Sequence, residues 1–227
     1  MKHIVSLSGG KDSTAMLLKM IERDMPIDEI IFVDTTKEFP VMYEHLERLE
    51  SNIPYEITRL SFDWEYWFKD HVKTKGKNKG EKGYGWPEMG IRWCTAKKRD
   101  LIKSYLDKEY IIYEGIAYDE RERAKNNDDG VNREYPLIGL EVTEKEALQY
   151  CWGKGYDWDG LYSKMGRVSC YLCPLQSLNE LRIIYEDYPK LWQEMKELDK
   201  EADRQFRADF SIEQLERKFQ QKRLIEV

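Results

Sequence analysis

No stretch of this 227-residue chain approaches the eighteen or so consecutive apolar residues of a membrane-spanning helix. The N-terminus enters an apolar pattern directly, without the layout of a signal peptide. A cytoplasmic protein with no membrane partner is the expectation. Cysteine is scarce: Cys94, Cys151, Cys170 and Cys173 are too few for the disulfide framework of a secreted scaffold. Histidine is scarcer, with only His3, His45 and His71. Positive charge is not in excess either. Lys and Arg total 37 against 43 Asp and Glu, and a net charge of −6 argues against a general nucleic-acid coat protein. No internal repeat appears. What is there, 41% hydrophobic and 35% charged residues, suits one α/β domain or one with a small appendage.

Ser8-Gly9-Gly10-Lys11-Asp12-Ser13 is the most informative stretch. It follows Ile4, Val5 and Leu7, which read as a short buried strand. It precedes Ala15, Met16, Leu17, Leu18, Met20 and Ile21, which recur with helical spacing. A Gly-Gly pair before a helix can be a plain turn. Here the helix start also offers unpaired N–H groups and the positive end of a dipole. Lys11 adds a full charge, and Ser8 and Ser13 add hydroxyls. A phosphate chain is the expected guest, although the spacing is not that of the P-loop.

Strands are expected at 2–7, 29–34, 55–60 and 110–116, and helices at 12–24, 38–52, 62–70 and 95–107. That alternation implies a parallel sheet with helices on both faces. Ligands in such folds sit beyond the carboxyl ends of the strands. The 8–13 loop, Asp34-Thr35-Thr36 and the run from Gly115 to Arg123 all fall there. Beyond residue 140 the pattern changes to a helix at 143–153, an aromatic and glycine-rich stretch, the Cys170-x-x-Cys173 pair, and charged amphipathic helices at 177–199 and 211–222. The expected organisation is an α/β nucleotide-binding core at 1–140 and a cysteine-containing segment with a helical extension at 141–227. Residues 69–85 carry six lysines and four glycines. They read as a solvated loop or as a lid bringing positive charge to a polyanionic substrate.

The blocks SLSGGKDS (6–13), VDTTKEFP (33–40), RWCTAKKRD (92–100), GIAYDERERA (115–124), YPLIGLEVTEKEAL (135–148) and LYSKMGRVSCYLCP (161–174) occur in one order along the chain. Together they resemble the phosphoadenosine phosphosulfate reductase branch of the PP-loop ATP pyrophosphatases, with their adenine nucleotide alpha hydrolase fold. The resemblance implies binding of ATP and cleavage between its α and β phosphates. Sulfonucleotide reductases of this branch carry a C-terminal catalytic cysteine and tend to a degraded phosphate loop. This chain has no cysteine after Cys173 and an intact loop. The expectation is therefore an adenylating enzyme of sulfur transfer or removal, similar to sulfurtransferase and DNA-phosphorothioation relatives. A sulfonucleotide reductase is the runner-up and a non-catalytic nucleotide-sensing module the third reading.

On these terms Lys11 and the N–H groups of Gly9 and Gly10 hold the β and γ phosphates, with Ser8 and Ser13 beside them. Asp12 helps hold Mg²⁺, and Asp34 meets a ribose hydroxyl or a metal. Arg121 and Arg123, after Gly115, neutralise charge on the leaving group. Lys11, Asp12, Arg121 and Arg123 are the expected catalytic residues. Cys94, Cys170 and Cys173 are expected to share one metal centre. Three thiolates with an open position suit a [4Fe–4S] cluster, zinc being the alternative with no fourth ligand identified. Cys151 reads as core. The acceptor is a nucleic acid or a small molecule, and a sulfur-donor protein and a second copy of the chain are further candidate partners.

Overall fold

Burial of Ile4, Val5 and Leu7 creates the first strand, β1 (Lys2–Leu7), and the near-continuous apolar run Ile30 to Val33 creates β2 (Glu29–Asp34). Strands buried on both sides lose the alternation of half-exposed ones, as parallel sheets require. The computed structural model describes residues 1–90, 92–106, 109–126, 130–168 and 170–225. Its sheet is completed by β3 (Ile57–Ser61), β4 (Tyr110–Glu114) and β5 (Asn132–Glu134). All pairings are parallel and the strand order is β3-β2-β1-β4-β5. The fold is α/β, as the alternation implied. The fifth strand was not foreseen, because Asn132-Arg133-Glu134 carries no apolar signal and joins β4 through its backbone register.

The helices are α1 (Lys11–Glu22), α2 (Pro40–Ser51), α3 (Trp64–Lys69), α4 (Trp93–Tyr105), α5 (Pro136–Gly139), α6 (Glu144–Gly153), α7 (Leu161–Lys164), α8 (Leu178–Asp187), α9 (Pro189–Lys200) and α10 (Ile212–Ile225). Pro40 sits at the first turn of α2, where its missing N–H costs nothing. The 177–199 stretch breaks in two at Pro189 for the same reason: Tyr188, at φ −126° and ψ 60°, leaves the helical region and Pro189 opens α9.

Two compact units result. The first comprises Met1–Asp34, Phe39–Ser61 and Lys98–Leu161, and so contains the whole sheet. Residues 141–161, assigned by sequence to the extension, fall within it. The second comprises Thr35–Glu38, Phe62–Lys97 and Tyr162–Val227. Its core is aromatic, with Trp64, Phe68, Trp86, Trp93 and Phe206 buried and the Trp86 indole donating to Asp199 Oδ1 at 2.8 Å.

In the first unit the strand order reverses between β1 and β4. A crevice for ligands opens at such a switch point, beyond the carboxyl ends of the two strands. The 8–13 loop leaves β1 and Gly115 follows β4, so the fold places both at that point.

Candidate functional site

The loop that connects β1 to α1 is held by its own hydroxyls. Ser8 and Ser13 Oγ lie 2.9 Å apart, Ser13 Oγ donates to the Gly10 carbonyl at 3.0 Å and accepts from Ser8 N–H at 3.2 Å. Gly10 is the N-cap of α1 and no side chain caps the helix among the described residues. The N–H groups at the start of α1 are thus left to an anion, although the Asp12 carboxylate already stands in the first turn, where it is held by Lys11.

Two glycines are there for space and conformation. Gly9 has φ +77°, a region open to glycine at no steric cost. A Cβ on Gly115 would lie 2.7 Å from both the N and the Cα of Ser13. Only a bare backbone lets the end of β4 approach the first turn of α1 so closely.

Lys11 is almost fully buried, at 6% exposure, and its ammonium donates to Asp12 Oδ1 and Oδ2 at 2.9 and 2.8 Å. Glu144, on α6, is 3.4 Å away. Burial pushes the Asp12 carboxyl above its usual range. The Lys11 charge opposes that shift, while Glu144 and Glu120 add to it. The result is a lysine flanked by carboxylates, a set that can hand its cation to a stronger anion. Sequence reasoning named Lys11 and Asp12 but missed Glu144, whose only signal is its place in the block 135–148.

Asp34 ends β2 and accepts from the Tyr43 hydroxyl at 2.8 Å. The two arginines differ. Both lie in a 3₁₀ stretch, Tyr118–Asn126. Arg121 lies over the Tyr118 ring, 4.6 Å from its centroid. Arg123 pairs with Glu120, which together with the charges of Glu144 and Asp12 holds the guanidinium above its usual range against some burial. Arg123 therefore feels the charges of Asp12 and Glu144, the partners of Lys11, while its own ion pair is with Glu120.

Behind the loop stands a brace that the sequence did not reveal. The Trp158 indole donates to the Gly9 carbonyl at 2.9 Å, and its ring packs on His45 with centroids 4.4 Å apart. His45 Nε2 lies 3.0 Å from Thr14 Oγ1, and Tyr156 meets His45 edge-on at 5.4 Å. Trp158 and Asp159 have φ of +51° and +50°. Such strain persists where the surroundings over-determine it, and here it brings the indole onto Gly9. The Cys151 thiol, also buried, donates to the Lys11 carbonyl at 3.4 Å. Burial, with Asp12 close by and Lys11 opposing, pushes that thiol up to about 12, so it stays neutral.

Burial and the Arg48 charge lower His45 to about 4. Below the ordinary value of 6.5 the unfolded chain takes up a proton that the folded chain refuses. Stability is therefore present above about pH 6.5 and falls as pH drops toward 4, by about 3 kcal/mol at most. Denaturant midpoints at pH 7 and 4.5 are expected to show the loss, and His45→Gln is expected to remove most of this pH dependence. An equal dependence in the variant would assign it to other groups.

In the second unit the segment Thr35–Glu38 meets Cys170. Thr35 Oγ1 lies 3.4 Å from Cys170 Sγ and donates to Glu38 Oε1 at 3.0 Å, while the Cys170 thiol donates to Glu38 at 3.4 Å. Tyr171 N–H donates to the Lys37 carbonyl at 3.1 Å. Lys37 is itself buried between Glu65 and Glu194. Desolvation works against its charge, but the two carboxylates prevail and raise it above the usual lysine value. The Cys170–Cys173 turn closes through Cys173 N–H onto the Cys170 carbonyl at 3.1 Å, and Gln176 Nε2 donates to the Cys170 and Tyr171 carbonyls at 2.8 and 3.0 Å. Cys94 lies in the first turn of α4. Cys94, Cys170 and Cys173 all belong to this unit and are half-buried, and no disulfide joins any of the four cysteines. As donors the three thiols suit iron–sulfur or zinc. Among the described residues no three His, Cys, Asp or Glu side chains are gathered to hold a metal ion. Among the described residues, too, no helix is long and apolar enough to cross a membrane.

The model of the phosphoadenosine phosphosulfate reductase domain matches residues 2–176. An uncharacterised protein of Methanocaldococcus jannaschii is 27% identical over 205 residues, covering 84% of this chain and 40% of the relative. An uncharacterised protein of Escherichia phage 186 is 35% identical over 92 residues, 40% of this chain and 25% of the phage protein. The chain thus spans less than half the length of either relative. Solved structures with some likeness include the U34-tRNA thiolase NcsA of Methanococcus maripaludis with its [4Fe-4S] cluster. It has a TM-score of 0.40 and 15% identity, over 100% of this chain and 72% of that one. A predicted subunit of tRNA methyltransferase from Methanocaldococcus jannaschii gives a TM-score of 0.34 and 13% identity, over 83% and 89%.

Proposed function

The chain belongs to the phosphoadenosine phosphosulfate reductase domain family, and on that premise we propose that its first unit binds ATP in the 8–13 loop. ATP is cleaved there between the α and β phosphates to adenylate a substrate for sulfur transfer or removal. The observation that carries this reading is the cradle at the switch point: a helix start capped by glycine alone, with the charge of Lys11 beside it. When the triphosphate arrives, Lys11 exchanges Asp12 and Glu144 for the outer phosphates, where charge builds on the leaving pyrophosphate. The hydroxyls of Ser8 and Ser13 and the N–H groups of Gly9 and Gly10 are the remaining phosphate donors. Asp12, released from Lys11, is the residue to hold Mg²⁺. Asp34 is the acceptor for a ribose hydroxyl, and Arg123 is the better placed of the two arginines to offset leaving-group charge.

The match to a reductase family gives a second reading, reduction of a sulfonucleotide. It needs a thiolate to attack sulfur, and Cys151 is neutral in this fold. Titration calorimetry with ATP·Mg²⁺ and with adenosine phosphosulfate separates the two. Tighter binding of ATP is expected, because only ATP reaches Lys11 with β and γ phosphates. The reverse order, or sulfite release with a dithiol donor, would transfer the conclusion to the reductase.

A [4Fe–4S] cluster held by Cys94, Cys170 and Cys173 is part of the proposal, with zinc as the alternative, and its support is the thiol chemistry of the donors. Such a cluster, which Cys94, Cys170 and Cys173 would hold, would supply iron chemistry toward sulfide or a sulfur-bearing substrate. Anaerobically purified protein is then expected to be brown, with broad absorption near 400 nm, roughly where cysteine-held clusters absorb. Serine at Cys94, Cys170 or Cys173 is expected to abolish the colour, and Cys151→Ser to leave it. A colourless protein with stoichiometric zinc would replace the cluster by a structural metal. A protein with neither would remove the metal centre altogether.

A further inference from the structure

The 69–85 stretch is a built arm, not a structureless loop. Val72 and Lys82 form an antiparallel bridge, Lys73 N–H donates to the Glu81 carbonyl at 2.9 Å, and Gly80 N–H donates to the Lys73 carbonyl at 2.8 Å. Its root is pinned by Gly83 N–H on the His71 carbonyl at 2.9 Å and Tyr84 N–H on the Trp67 carbonyl at 3.0 Å. Gly83 has φ +61°, and a Cβ there would lie 2.3 Å from the Phe68 carbonyl oxygen, so the backbone reaches this point only as glycine.

Charge is segregated onto this arm. Six lysines against Asp70 and Glu81 leave a local charge of +4 in a chain whose total is −6. Lys69 pairs with Glu65 and Glu201, and Lys73 with Glu81. Lys75, Lys77, Lys79 and Lys82 are exposed and make no ion pair among the described residues. Four exposed ammoniums within eight residues form a local positive segment that a polyanion can meet.

The root of the arm is aromatic. Lys97 Nζ sits 3.6 Å above the Trp67 ring, His71 packs on Trp67 with centroids 4.0 Å apart, and Tyr84 stacks on His71 at 5.3 Å and on Trp93 at 5.7 Å. Trp93 in turn meets the buried Trp64 at 5.3 Å. Tyr66 stands edge-on to Trp67 and His71 and is 46% exposed. An exposed ring at the root of the arm and four exposed lysines along it supply the two elements that bind single strands: a stacking face and backbone charge.

The geometry points to a binding site for a single-stranded polynucleotide, whose phosphates lie along Lys75, Lys77, Lys79 and Lys82 while a base stacks on Tyr66. Neither a lysine nor a ring face distinguishes ribose from deoxyribose, so RNA and DNA are both accepted. The site lies wholly in the second unit and does not rest on ATP cleavage, although it supplies a nucleic-acid acceptor for that reading.

The test is fluorescence anisotropy of a labelled single-stranded 12-mer with the full chain and no ATP, across a salt series. RNA and DNA forms are expected to bind within about threefold of each other, and duplex of the same length more weakly. Alanine at Lys75, Lys77, Lys79 and Lys82 together is expected to lower the salt slope by roughly 0.7 per lysine lost. Tyr66→Ala is expected to weaken binding about tenfold with the slope unchanged. ATP titration of both variants is expected to match the parent, which separates failure here from failure of the nucleotide site. Any of four results would overturn the proposal: no binding, equal binding of duplex, an unchanged salt slope in the lysine variant, or Tyr66→Ala binding as tightly as the parent. Tighter binding of anionic vesicles than of the 12-mer would also overturn it, in favour of a membrane surface.

Discussion

Gly115→Ala is expected to destabilise the protein by about 3 kcal/mol or more and to abolish triphosphate binding in whatever fraction remains folded. The added methyl would sit 2.7 Å from the Ser13 N and Cα and 2.9 Å from the Asp12 carbonyl carbon. These neighbours are backbone atoms of the first turn of α1, so they cannot swing aside as a flexible side chain would. Relief requires the end of β4 and the start of α1 to part, which opens the phosphate cradle. Gly153→Ala is the matching control, since a Cβ there meets nothing within 4 Å at the end of α6. Alanine in a helix is favoured over glycine, and the control is expected to be neutral or slightly stabilising. Denaturant unfolding of both variants reads the difference. A Gly115→Ala protein as stable as the parent would show that the close approach is not required.

Lys11→Ala is expected to weaken ATP binding by about a hundredfold while changing AMP binding only a few-fold, because charge-assisted bonds to the outer phosphates are lost. Lys11 is buried and already held by Asp12 and Glu144, so its charge is positioned before the ligand arrives. Its removal leaves those two carboxylates facing each other without a cation. A drop in melting temperature is expected alongside, and Lys11→Arg is expected to restore part of the stability but less of the affinity, the fork being a different shape from an ammonium. Titration calorimetry with both nucleotides gives the ratio. Equal losses for ATP and AMP would move Lys11 away from the outer phosphates.

The elements that the sequence revealed are those whose signal is local. β1 and α1 announce themselves through apolar runs on either side of Ser8–Ser13, and the parallel sheet follows from regular alternation. Other features depend on partners far along the chain. His45 lies in an ordinary helical pattern and Trp158 in a glycine-rich stretch, and the indole reaches Gly9 across 149 positions. No spacing rule connects them. The boundary expected near 140 failed to separate compact units for a similar reason. The composition changes there, but α6 packs back onto α1 through the Cys151 thiol on the Lys11 carbonyl and Lys19 over the Tyr150 ring at 4.0 Å. The 69–85 stretch is exposed along residues 74–82, as its composition implied, while Gly83 and the aromatic ladder impose an order at its root that lysine and glycine counts conceal. For the cysteines, sequence identified the donor type, and the fold places Cys94, Cys170 and Cys173 in one unit without gathering them.

The position of the broken bond in ATP tests the central claim most directly. The purified chain is incubated with Mg²⁺ and ATP labelled in parallel at the α and at the γ phosphate, and the products are separated by chromatography. Cleavage in a cradle that holds the outer phosphates through Lys11, with water attacking the α phosphorus in place of the acceptor, is expected to give labelled AMP from the first and labelled pyrophosphate from the second. Labelled ADP from the first and labelled orthophosphate from the second would contradict it.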